Sequence, residues 1–261
     1  MPDRVVPVTA AGDGFLLTPD QGEVFYESAG GDLENWVRLA REAALLQRDL
    51  VPHHAALMEV GMAQLRPEES ADYVAARVEQ YATLPPRDPR RLAPEVAERL
   101  HAHLPVVRRW AEQVAALGLP LTLNHNDLHE NNVFDVDGRL RFFDFGDALV
   151  TEPLAVLLIP LNILGEKLAA DGEDPRLWRV VDAALEVWSD LVPATELRDA
   201  TGGPPARPDR PRGVVGALSA LAVGRAAGRV GPGRGDLAGH ARRRSAGARQ
   251  GQQDARGLTP R

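Results

Sequence analysis

His125-Asn126-Asp127-Leu128-His129-Glu130-Asn131-Asn132 is followed, twelve residues after Asn132, by Asp144-Phe145-Gly146. Between these runs, Asn132-Val133-Phe134 and Arg139-Leu140-Arg141-Phe142-Phe143 read as short strands joined by Asp135-Val136-Asp137-Gly138, a hairpin signal. Such a hairpin returns Asn132 and Asp144 to the same end. Both carry hard oxygen donors of the kind Mg²⁺ prefers, and Asp127 offers a carboxylate able to take a proton from a hydroxyl. A base beside two oxygen ligands is what phosphoryl transfer asks of a protein, because that chemistry rests on positioning a nucleophile and neutralising phosphate charge.

The two runs fit the pattern H-x-D-L-x-x-x-N plus D-F-G. The stretch Leu123 to Ala148 resembles the aminoglycoside phosphotransferase and choline kinase branch of the protein-kinase-like fold, whose loop carries a second His after D-L, here His129. The resemblance implies that Asp127 is the catalytic base, that Asn132 and Asp144 are metal ligands that also hold the nucleotide, and that His125 and His129 support the loop. It implies ATP and Mg²⁺ as cofactors and a small hydroxylated acceptor such as an aminoglycoside or an amino alcohol. It also places a hinge at Leu16 to Pro19, where Leu17 and Thr18 would hold adenine through backbone groups. The chain departs from the family at Asn131, where Gly is common, but Asn tolerates left-handed backbone better than most residues. A looser likeness extends over about residues 14 to 195.

Other readings of these residues compete. His125, Asp127 and His129 could ligate a transition metal, yet no further ligand set with zinc-like spacing accompanies them. Asp144 in isolation would be an ordinary turn carboxylate, and its distance from the loop argues otherwise. Asp147 and Glu152 are solvated charges by default, with a supporting role beside the metal as the alternative.

Helical periodicity surrounds the motif. Asp32 can cap a helix from Leu33 to about Asp49 in which Trp36, Leu39, Ala40, Ala43 and Leu46 share a face. Further helices are expected from about Ser70 to Ala82, from Pro94 to Leu117 with a kink or break at Pro105, from Pro153 to Leu168 and from Pro175 to Leu191. Ahead of them, Arg4 to Val8 and Gly14 to Leu17 read as strands. The expected fold class is therefore α+β and protein-kinase-like: mainly the helical C-terminal lobe, with a catalytic β-hairpin and a remnant of the small lobe. Its domains are residues 1–22 (small-lobe strands and hinge), 23–195 (catalytic lobe) and 196–261 (tail).

A kinase-like small lobe carries a loop over the phosphates and a strand Lys. Upstream of Asp127 there is no lysine, Lys167 being the only one in the chain, and neither Gly12-Asp13-Gly14 nor Gly30-Gly31 makes a convincing phosphate loop. The chain is thus expected to be truncated in its nucleotide clamp and to grip nucleotide weakly. A non-catalytic remnant or binding module is the alternative function.

Composition bounds the rest. The 261 residues, 44% hydrophobic, can build a sizeable core. Without cysteine there are no disulfides, the N-terminus shows no signal or transit pattern, and the apolar run Leu154 to Leu164 is broken by Pro160 and Asn162 and is too short to span a bilayer. A cytoplasmic protein without a membrane partner is expected, and its oligomeric state is not legible. Residues 1–195 carry 32 acidic and 17 basic side chains, net −15, against 5 and 13, net +8, in 196–261. So acidic a body argues against a specific nucleic-acid partner and suits a cationic acceptor. From Glu196 onward there is no Trp, Tyr or Phe and 13 of the 24 glycines fall in 66 residues, so this segment is expected to be either a disordered basic tail or a shifted-frame translation of a GC-rich gene.

Overall fold

Asp32 accepts the Asn35 N–H at 2.9 Å and so starts helix α2 (Leu33–Leu50), around which the other elements are arranged. In the computed structural model, which describes residues 3–29 and 32–202, this helix buries Trp36, Leu39, Ala40, Ala43, Ala44 and Leu46 along one stripe. That is the face expected from the periodicity.

Before it come the strands β1 (Ala10–Gly12) and β2 (Phe15–Leu17), an exposed antiparallel hairpin, and the short helix α1 (Phe25–Ala29). After it come α3 (His54–Glu59), α4 (Ser70–Ala82) and α5 (Pro94–Ala116). Strand β3 (Thr122–Asn124) then leads into the motif, whose hairpin is β4 (Val133–Val136) and β5 (Arg139–Phe142). Strand β6 (Leu149–Thr151) returns antiparallel to β3, and the helices α6 (Leu158–Leu168), α7 (Pro175–Leu185) and α8 (Ala194–Thr201) complete the described elements. Helix α7 lies along α2, and Trp178, Val180, Val181, Ala184, Leu185 and Trp188 join the same core. A smaller cluster of Val74, Val78 and Ala97 joins α4 to α5. The α+β class, mainly helical, holds. Among the described residues no helix is long and apolar enough to cross a membrane.

The structure departs from the sequence reading at several points. The first strand is Ala10–Gly12 rather than Arg4 to Val8. Instead, Arg4 to Val6 lie beside β5, with Val6 N–H donating to the Phe142 carbonyl and Phe142 N–H to that of Arg4, at 3.0 and 2.9 Å. Pro7, lacking an N–H, ends that pairing. Helix α5 runs unbroken through Pro105. Pro105 lacks the N–H that would bond the His101 carbonyl, and both residues lie on an exposed part of the helix. The helix expected at Pro153 to Leu168 begins as a 3₁₀ segment, Pro153–Leu157, before α6, and the one expected at Pro175 to Leu191 is α7 followed by the 3₁₀ turn Glu186–Trp188.

Helix α8 crosses the boundary expected at 195/196, because composition averaged over the whole tail hides one short amphipathic turn pair. Leu197 is fully buried and Ala200 nearly so, both in the main core. Residues 203–261, and with them the disordered-tail and shifted-frame readings, lie outside the described residues. Leu197→Ala should lower unfolding free energy by about 2–5 kcal/mol. Urea denaturation of the full chain measures it, and an unchanged midpoint would mean that α8 does not pack on the lobe.

Candidate active site

Asp137 and Gly138 both have positive φ, 53° and 75°, the backbone of a two-residue hairpin loop that only Gly, Asn and Asp adopt readily. Arg38 of α2 fixes this turn, with Nη1 on Asp135 Oδ2 at 2.5 Å and Nη2 on the Gly138 carbonyl at 2.8 Å. The register Val133↔Phe142 then sets Asn132 opposite Phe143. Phe143 N–H donates to the Asn132 carbonyl at 3.1 Å, and the Phe143 carbonyl accepts from His125 Nε2 at 2.8 Å. One residue therefore holds Asp144 to both ends of the loop. The Phe145 ring lies against the His125 imidazole, with centroids 4.8 Å apart.

Each loop side chain has a defined setting. Asp127 is 6% exposed and Asn132 likewise, whereas Asp144 faces solvent. Asn132 Nδ2 donates to the Asp127 carbonyl at 2.9 Å, so the oxygen end of the amide is the one left to a cation. His129 Nδ1 accepts the Asn131 N–H at 3.2 Å, which puts the ring proton on Nε2, 3.9 Å from Asp127 Oδ2. Burial pushes the His125 pKa down, against the Phe143 hydrogen bond and the Asp127 and Asp144 charges that raise it. His125 is thus a neutral imidazole whose Nε2–H is engaged and whose Nδ1 is buried without a partner. Among the described residues no group of three or more His, Cys, Asp or Glu is placed to hold a metal ion.

Asp144 sits in left-handed backbone, φ 61° and ψ 60°. A non-Gly residue held there costs on the order of 1–3 kcal/mol, the kind of strain that clusters at functional sites. Asn126, also left-handed at φ 59°, links the loop to the far side of the D-F-G through Nδ2 and the Asp147 carbonyl, 3.2 Å. An amide oxygen and an exposed carboxylate on joined segments are a donor set that suits Mg²⁺, which keeps waters and phosphate oxygens in its remaining positions.

Of the doubtful carboxylates, Asp147 is exposed and Glu152 is a buried cap, accepting the Leu154 N–H at 2.7 Å. Burial pushes the Glu152 carboxyl up from 4.5 to about 7. A folded-state pKa above the unfolded one gives stability that is complete below pH 4.5 and is lost as pH rises toward 7. At ~1.4 kcal/mol per tenfold the loss is roughly 3 kcal/mol. Glu152→Gln, which keeps an acceptor but does not ionise, should gain stability over the parent as pH rises from about 4.5 to 7. Urea midpoints at pH 5 and pH 8 compare the two, and a constant gap would contradict the expectation.

Leu17 and Thr18 fall at the exposed end of β2, and the Leu17 carbonyl already accepts the Thr9 N–H at 2.8 Å. The chain that follows docks on the catalytic hairpin, with Arg141 donating to Gln21 at 2.8 Å and Val24 bridging Phe134. Sequence reasoning missed Glu130, a charged residue buried inside the loop, and its partner Lys167. The available signal was that Lys167 is the only lysine.

The profile of a family described as phosphotransferase enzyme family matches residues 7–170, which include every motif residue above. No curated protein sequence matches the chain. Similar solved structures include a macrolide 2'-phosphotransferase type I, 18% identical with a TM-score of 0.39, the match covering 87% of this chain and 59% of that one. An ethanolamine kinase of Plasmodium vivax is 12% identical, TM-score 0.40, over 87% of this chain and 68% of its own. An aminoglycoside phosphotransferase from Alicyclobacillus acidocaldarius is 15% identical, TM-score 0.30, over 81% and 68%. The chain thus spans less than two thirds of the length of the first of these.

Proposed function

The chain belongs to the phosphotransferase enzyme family, and on that premise we propose that it moves the γ-phosphate of ATP to a hydroxyl of a small acceptor of the aminoglycoside or amino-alcohol kind. The observation that carries this reading is the joint held by Phe143, which ties Asp144 to the loop of Asp127 and Asn132. In this reading Asp127 takes the proton of the acceptor hydroxyl as its oxygen bonds to the γ-phosphorus and the bond to the ADP oxygen breaks; the proton then passes to water. Asn132 Oδ1 and the Asp144 carboxylate hold the cation, and His129, its proton on the nitrogen facing Asp127, keeps that carboxylate oriented. Bound Mg²⁺ supplies neutralisation of the phosphate charge.

The net charge of −15 over residues 1–195 supports a cationic acceptor over a nucleic acid, and the cytoplasm is the proposed location. The test is a panel of hydroxylated metabolites and antibiotics incubated with the full chain, labelled ATP and Mg²⁺. Label transferred to an acceptor supports the reading, and none on any acceptor would count against it. The alternative is a kinase-like binding module without turnover. Mg²⁺-dependent nucleotide binding without transfer distinguishes it.

A further inference from the structure

Lys167 lies in the last turn of α6, and its Nζ donates to both carboxylate oxygens of Glu130, at 2.9 and 3.2 Å. The same nitrogen sits 5.1 Å from the ring centroid of Tyr26 in α1 and 5.1 Å from that of Trp36 in α2. Aromatic faces attract an ammonium, so two helices help hold the one cation that a third helix supplies. Glu130 is the first residue of the turn Glu130–Asn132, between His129 and the metal-ligand candidate Asn132, and its side chain is only 3% exposed against 36% for Lys167.

A carboxylate this buried is tolerated when paired, and removing its partner leaves an uncompensated charge that pulls toward water. The loop would move with it, because Glu130 lies within the turn. The amides of Asn131 and Asn132, which donate to His129 Nδ1 and to the His129 carbonyl, are the bonds that such a movement opens. We propose that Lys167 is a positioning residue of this site: through Glu130 it holds the turn that presents Asn132 to the metal, and so makes metal binding depend on the packing of α1, α2 and α6. The role assigned to Asn132 rests on the phosphotransferase reading above. The tether itself does not.

The test compares the full-length parent, Lys167→Met and the neutral pair Lys167→Met/Glu130→Gln by amide hydrogen exchange and by calorimetry with Mg²⁺ and ADP. In Lys167→Met the Asn131 and Asn132 amides should exchange at least about tenfold faster, equal to ~1.4 kcal/mol, while the amides of α2 and α7 keep parental rates. The neutral pair, lacking both the tether and the buried charge, should fall between the two and should fold even where Lys167→Met does not. Loop amides at the parental rate in the neutral pair, or acceleration spread evenly over α2 and α7, would overturn the tether. Mg²⁺-dependent ADP affinity should fall in step with loop exchange, and affinity unchanged despite a loosened loop would overturn the link to the site. A parent that binds no Mg²⁺-nucleotide would instead count against the phosphotransferase reading, with loop exchange still deciding the tether.

Discussion

Asp127→Asn should slow phosphate transfer by roughly 10²- to 10⁴-fold, the usual worth of a positioned general base. The substitution keeps the size and shape of the side chain, and the Asp127 carbonyl that accepts from Asn132 Nδ2 is backbone, so the loop keeps its anchor. Nucleotide affinity and urea midpoint should therefore stay near the parental values. Rate and stability must be read together, since a buried position could otherwise lower activity by unfolding. Equal transfer rates in variant and parent would remove Asp127 from the mechanism.

The second large effect falls on the metal. Asp144→Ala and Asn132→Ala should each weaken cation binding in the presence of nucleotide by at least about tenfold, ~1.4 kcal/mol. With Mn²⁺ in place of Mg²⁺, the electron paramagnetic resonance signal of the free ion reports the fraction bound. Asp144→Ala is the cleaner of the two, because its side chain is exposed, whereas Asn132→Ala also removes the bond to the Asp127 carbonyl. Alanine also fits the left-handed backbone at 144 poorly, so Asp144→Asn, which tolerates it better and keeps a neutral oxygen donor, separates loss of the carboxylate charge from strain. If both alanine variants bind Mn²⁺ with nucleotide as the parent does, the hairpin is only structural.

What the sequence disclosed was local. The Asp32 cap and the apolar stripe behind it place α2, and Ser70 to Ala82 is helical over the span its periodicity indicates. Asp137-Gly138 marks the hairpin because those residue types accept the turn's positive φ. Pairings between distant segments left no comparable trace. Strands β3 and β6 are three residues each and meet only after the catalytic hairpin has intervened, so neither shows an alternation long enough to read. Val5 and Val6 look like part of an N-terminal hairpin but lie beside β5 instead, a choice made by tertiary packing and not by propensity. Helix α3 is six residues long with no buried side chain, too short for a periodic signal.

The candidate site divides in the same way. Asp127, Asn132 and Asp144 are legible because their chemistry requires those residue types at that spacing. Their supports are not: the Asn126 bond to the Asp147 carbonyl spans 21 residues and the Glu130–Lys167 pair 37, and nothing in the intervening sequence announces either. Glu152 reads as a surface charge until its burial and its bond to the Leu154 N–H are seen.

The account stands most directly on whether this chain binds ATP through a metal. Calorimetric titration of the full chain with ATP, once with Mg²⁺ and once with a chelator, measures that. Binding that appears with Mg²⁺ and vanishes with the chelator is the predicted result; equal heats in the two titrations, or none in either, would contradict it.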